Sequence, residues 1–149
     1  MHNNDGPCQE VLDRADELGV DPDALNELAT DPANGGTVTA STIREAEVGI
    51  LLEQRGDLAG PLRRDPIGAG EFFDANGDLW DIKAFRSTRP NDGARVFDLD
   101  AALRSVEGEF LVGENVILDT LDLDPADLSD LLSAIDASDF EPKLRGLVL

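Results

Sequence analysis

Apolar residues recur at helical spacing through the first thirty positions. Val11, Leu12, Ala15 and Leu18 form one stripe that Gly19 closes, and Asp21-Pro22 then caps a second short helix bearing Leu25 and Leu28. Residues 31–36, Asp-Pro-Ala-Asn-Gly-Gly, read as a turn or linker. A longer helix opens near 41–45, where Thr42 and Glu45 have the spacing of a capping box, and Gly56 marks its stop. From 61 to 97 the texture changes to short apolar runs punctuated by Gly and Pro. Residues 71–74 and 79–85 read as strands joined at Ala75-Asn76-Gly77. Beyond them come a helix at 100–106, a buried strand at 115–119, a helix capped by Asp124-Pro125 and carrying Leu128, Leu131, Leu132 and Ile135, and a closing strand at 144–149. The order predicts an α/β fold with a mixed sheet and helices on its faces. It divides into a helical prelude and linker at 1–36 and a main domain at 37–149.

Composition narrows the chemistry. The chain has 149 residues, with 32 Asp and Glu against 12 Lys and Arg, for a net charge of −20. The lone Cys8 excludes a disulfide framework and Cys-rich zinc sites, and the lone His2 excludes His-based triads and His-ligated metal sites. No apolar run approaches the ~18 residues of a membrane span, and no charged-then-apolar leader opens the sequence. These features predict a cytoplasmic protein without a membrane partner, whose chemistry rests on carboxylates, Lys and Arg.

The acid excess has two readings. One is a hydrated, halophilic surface suited to high salt, where screening removes self-repulsion; the other is an acidic surface that mimics nucleic acid or binds a basic partner. Its distribution is uneven. Residues 1–55 hold 3 bases and 12 acids, and residues 98–149 hold 3 bases and 13 acids. The intervening 56–97 hold 6 bases and 7 acids, so phosphate, if it is handled, is handled there.

Three acids and one lysine stand out. On the helix from 42 to 55, Glu47 falls within a stripe formed by Ile43, Ile50 and Leu51, so it either reaches water or an Arg at the stripe's edge or points into a site. On the strand at 79–85, alternation puts Leu79, Asp81, Lys83 and Phe85 on one face and Trp80, Ile82 and Ala84 on the other. Asp81 and Lys83 form either a local ion pair or part of a site. A three-residue loop at 75–77 pairs Glu71 with Asp81 closely enough to share a divalent ion, whereas a two-residue loop pairs Glu71 with Ile82. The sequence permits both registers. Asp74-x-Asn76-x-Asp78 is not a calcium loop, because Leu79 and Phe85 stand where Gly and Glu are needed.

With Glu47 on a helix, Glu71 ten residues before Asp81, and Asp81-Ile82-Lys83 on a strand, the pattern resembles the PD-(D/E)xK nuclease superfamily. The run Gly60-Pro-Leu-Arg-Arg-Asp-Pro66, then Glu71-Phe-Phe-Asp74, Gly77 and Trp80-Asp-Ile-Lys83, is similar to the nuclease domains of bacterial polymorphic and contact-dependent-inhibition toxins. Asn115-Val-Ile-Leu-Asp-Thr120 and the helix after it extend the likeness to the end of the chain. The resemblance implies a restriction-endonuclease-like core and metal-dependent hydrolysis of DNA or RNA. It implies that Glu47, Glu71 (or Asp65 in its place), Asp81 and the Ile82 carbonyl hold Mg²⁺ or Mn²⁺, and that Lys83 assists the attacking water. Arg63, Arg64, Arg86 and Arg89 are then candidates for gripping the nucleic-acid backbone, and a cognate immunity protein is an expected partner. The competing expectation is a non-catalytic acidic interaction module on the same fold.

Overall fold

Asp and Thr side chains start almost every helix of this chain. The computed structural model describes residues 7–138 and 144–147. Helix α1 (Gln9–Leu18) ends where Gly19 turns left-handed at φ 71°. Asp21 caps α2 (Pro22–Ala29) by accepting from the Asp23 N–H. The capping box of α3 (Ala40–Gln54) is one turn earlier than expected. Thr39 Oγ1 accepts from the Thr42 N–H at 3.2 Å while Thr42 Oγ1 accepts from the Thr39 N–H at 2.9 Å, so Thr42 closes the box rather than opening it. Asp98 caps α4 (Leu99–Leu111) by accepting from the Ala101 N–H, and Asp124 caps α5 (Pro125–Asp136) by accepting from the Asp127 N–H. Among the described residues, no helix is long and apolar enough to cross a membrane.

The chain forms two compact units, Met1–Gly77 and Asp78–Leu149. In the first, α1 and α2 pack on α3 through Val11, Ala15, Leu25 and Leu28, all buried. Burial of each large aliphatic side chain contributes about 1.5–3 kcal/mol. Gly49 allows close packing on α3: a Cβ there would lie 2.9 Å from Leu62 Cδ1 and 3.1 Å from Phe72 Cε2. Strands β1 (Arg63–Arg64) and β2 (Phe72–Phe73) pair antiparallel, and the Arg63 and Arg64 guanidinium groups lie over Phe73 and Phe72. The short β2 falls inside the strand expected at 71–74; β1 has no alternating pattern to announce it.

The second unit runs β3 (Leu79–Arg86), α4, β4 (Asn115–Asp122), α5 and β5 (Leu144–Leu147). Strand β4 pairs in parallel with both β3 and β5, and the helices α4 and α5 supply the crossovers that parallel pairing requires. Asp81 stands opposite Val116, and Lys83 opposite Leu118. Val116 and Leu118 pack with Ala102 and Val106 of α4 and with Leu131 and Ile135 of α5, joined by Phe85 and Phe97. The α4 helix extends past the expected 100–106, carrying Phe110 into this core, and β4 runs three residues beyond 119. The last two residues of the expected closing strand lie outside the described residues. The molecule is a mixed α/β protein.

Candidate metal centre

Strand alternation brings the first two site residues together. Asp81, Lys83 and Phe85 share one face of β3, and Phe85 belongs to the core built with α4 and α5, so this face looks toward those helices. Trp80, on the other face, is buried. The Lys83 Nζ lies 3.1 Å from Asp81 Oδ2 and 3.3 Å from Glu109 Oε1 of α4. Burial works against the charge on Lys83, but the hydrogen bond and charge of Asp81, followed by those of Glu109, outweigh it and hold the ammonium above its ordinary pKa. Lys83 is therefore a fixed positive charge at neutral pH.

A third carboxylate completes the cluster. Glu114, immediately before β4, is only 7% exposed. Its Oε1 is buried and accepts no hydrogen bond among the described residues, although the residue is engaged elsewhere. One carboxylate oxygen from each of Asp81, Glu109 and Glu114 lies within 4.8 Å of the other two. Ligands on opposite sides of a hard cation with bond lengths of about 2.1–2.4 Å are separated by about 4.2–4.8 Å, so the spacing fits a divalent ion. The donor set fits as well: all oxygen, all anionic, with no soft ligand.

The other expected residues are placed as follows. Glu47 belongs to the first unit, where Arg44 Nη1 contacts one of its oxygens at 2.8 Å and Arg14 Nη1 approaches the other at 3.7 Å. Glu71, half-buried in the same unit, accepts the Asp65 N–H on its carbonyl at 3.0 Å. Asp65, 2% exposed, receives three backbone N–H groups: Ile67 on Oδ1, and Ala69 and Gly70 on Oδ2, at 2.8–3.0 Å. Burial raises its pKa, but these hydrogen bonds, led by that from Gly70, hold it below the ordinary 3.8. Asp65 thus staples the loop between β1 and β2. Ile82 lies between Asp81 and Lys83 on β3, opposite Ile117. Arg64 is committed internally to the Leu28 carbonyl at 2.7 Å and Glu45 at 2.9 Å, whereas Arg89 pairs with Asp92 on the surface. Arg63 and Arg86 are exposed and make no ion pair among the described residues.

Glu109 and Glu114 went unrecognised in the sequence. The signal that could have found them is Gly113, a helix-terminating glycine with Glu four residues before it and one after it. The chain matches no family model, no curated protein and no solved structure.

Proposed function

We propose that this protein is a metal-dependent phosphodiesterase, a nuclease acting on DNA or RNA, with its centre at Asp81, Lys83, Glu109 and Glu114. The observation that carries the reading is a cluster of three carboxylates, two of them paired with a lysine that remains charged. Three acids this close carry a surplus of negative charge that one ammonium does not neutralise, a cost of several kcal/mol in a partly buried place that a divalent ion would offset. The mixed α/β class, with its chain order α3, β1, β2, β3, α4, β4, supports the reading; the restriction-endonuclease-like core remains part of the proposal.

Asp81, Glu109 and Glu114 would hold Mg²⁺ or Mn²⁺. Bound there, the ion supplies Lewis acidity toward a phosphoryl oxygen and lowers the pKa of water. Lys83, being protonated, is no general base. Its ammonium donates hydrogen bonds to a non-bridging phosphate oxygen and offsets the charge that accumulates there as the P–O bond breaks. Asp81 orients Lys83 from two residues away on the same strand face. The exposed Arg86, in the same unit as the centre, is the candidate for backbone contacts there. Glu47 and Glu71 enter the ligand set only through the resemblance. The acid excess fits a protein of high-salt surroundings, in which phosphate approaches a screened surface. A toxin-type role and an immunity partner extend the same reading.

The test is cleavage of plasmid DNA and total tRNA with Mg²⁺ or Mn²⁺ across ~0.1–2 M salt, a span set by screening. Wild type is compared with Asp81→Asn. Metal-dependent cutting that Asp81→Asn abolishes supports the proposal. No cutting of either polymer at any salt overturns it and leaves the acidic interaction module, with Lys83 as its internal counter-ion.

A further inference from the structure

Glu109 and Glu114 are five residues apart, and a continuing helix would hold them apart. Five residues of α-helix advance about 7.5 Å and turn about 140°. Instead, α4 stops in a two-bond reversal. The Gly113 N–H donates to the Phe110 carbonyl at 3.1 Å and the Glu114 N–H to the Glu109 carbonyl at 3.0 Å, with Gly113 at φ +87°. This is a Schellman ending, in which the residues at positions 109 and 114 meet across the turn and ordinarily form an apolar contact. Here both positions carry glutamate. Glu109 moreover lies in the last turn of α4, where no basic residue offsets the negative end of the helix dipole. The apolar contact that usually locks this motif has been replaced by a pair of like charges.

Gly113 offers an unusually clean handle on this arrangement. A Cβ added there meets nothing within 4 Å, so a substitution acts through the backbone conformation alone. We propose that Gly113 is the positioning residue of the metal centre: its left-handed backbone conformation, with no side chain in contact, sets Glu114 beside Glu109 and thereby fixes divalent-ion affinity. The inference rests on the metal-centre reading above.

The test is Mn²⁺ affinity of the full chain, measured by electron paramagnetic resonance of free Mn²⁺ at a temperature where every variant is folded by circular dichroism. The series is wild type, Gly113→Asn, Gly113→Ala and Gly113→Val. Asn tolerates the left-handed region and keeps affinity within about threefold of wild type. Ala loses roughly tenfold and Val more, following the rising cost of φ > 0. A purely structural glycine lowers the melting temperature of Ala and Val variants but leaves the Mn²⁺ affinity of the folded protein unchanged, and that result overturns the proposal. If Val does not fold, Ala against Asn decides. Failure of wild type itself to bind Mn²⁺ overturns the metal centre and the inference together, whereas tight binding by wild type and Ala alike overturns only the inference.

Discussion

Replacing Lys83 with Met removes the ammonium while keeping most of the side-chain volume. At an effective dielectric near 20, its contacts at 3.1 and 3.3 Å are each worth about 5 kcal/mol of attraction. Each pair of carboxylate oxygens within 4.8 Å repels by at least about 3.5 kcal/mol on the same scale. The two attractions therefore nearly offset the three repulsions, and the lysine is what makes the metal-free cluster tolerable. Desolvation, partial exposure and relaxation reduce the net loss to about 2–4 kcal/mol, near the cost of breaking a buried ion pair. For a chain of this length that is a fall in melting temperature of about 6–12 °C without metal. The ammonium also competes with a divalent ion for the same oxygens. Lys83→Met should thus bind Mn²⁺ at least about tenfold more tightly, as a gain of ~1.4 kcal/mol requires, and recover its lost melting temperature on adding metal, yet cut nucleic acid no longer. The assays are differential scanning fluorimetry with and without Mn²⁺, and calorimetric titration. A metal-free melting temperature within 2 °C of wild type (under about 1 kcal/mol on the same scale) or weaker Mn²⁺ binding refutes the electrostatic argument.

Further outcomes follow from other residues. Because the Lys83 pKa is raised, its stabilising contribution is fully present below the ordinary 10.5 and is lost as pH rises through the higher folded value; Lys83→Met should flatten that alkaline limb of a stability-against-pH curve. Asp65→Ala strands three backbone N–H groups and should destabilise by about 2–4 kcal/mol in urea unfolding. The Asp65 contribution is present above the ordinary 3.8 and disappears as pH falls through its lower folded value, so the variant should also lose part of the acid limb. Glu47→Gln, which releases Arg44 and Arg14, should lower the melting temperature but leave Mn²⁺ affinity unchanged; a marked loss of affinity would instead place Glu47 in the ligand set. Thr39→Ala should cost about 1 kcal/mol through loss of the α3 cap, and Ser41→Ala almost nothing, in denaturant titrations of both.

Much of this architecture was legible because local rules and tertiary packing agree. The Asp21-Pro22 and Asp124-Pro125 caps and the left-handed Gly19 stand where the sequence predicts. Alternation along β3 correctly joins Asp81 to Lys83 and sends Trp80 to the opposite face. The misses have physical causes. Thr42 looked like the opening residue of a capping box because Glu45 follows at the right spacing, but a Thr at the third position can close one with Thr39, and Glu45 is used by Arg64. The helix expected at 100–106 stops short of Gly108, yet packing of Phe110 against the α4–α5 core carries α4 through that glycine to Leu111. That extra turn is the one that delivers Glu109. Two of the three carboxylates were therefore invisible until the helix end was known, since nothing in composition or periodicity distinguishes Glu109 and Glu114 from the chain's other acids.

The Mg²⁺ dependence of nucleic-acid cleavage by wild type and Glu109→Gln is the decisive measurement for this metal centre. Glu109 belongs to the centre by geometry and not by resemblance. Wild type should give a saturable Mg²⁺ curve, and the variant one shifted to Mg²⁺ concentrations at least about tenfold higher, the loss of one charged ligand being worth ~1.4 kcal/mol or more. Cleavage indifferent to Mg²⁺, or a Glu109→Gln curve superimposed on wild type, contradicts the metal centre.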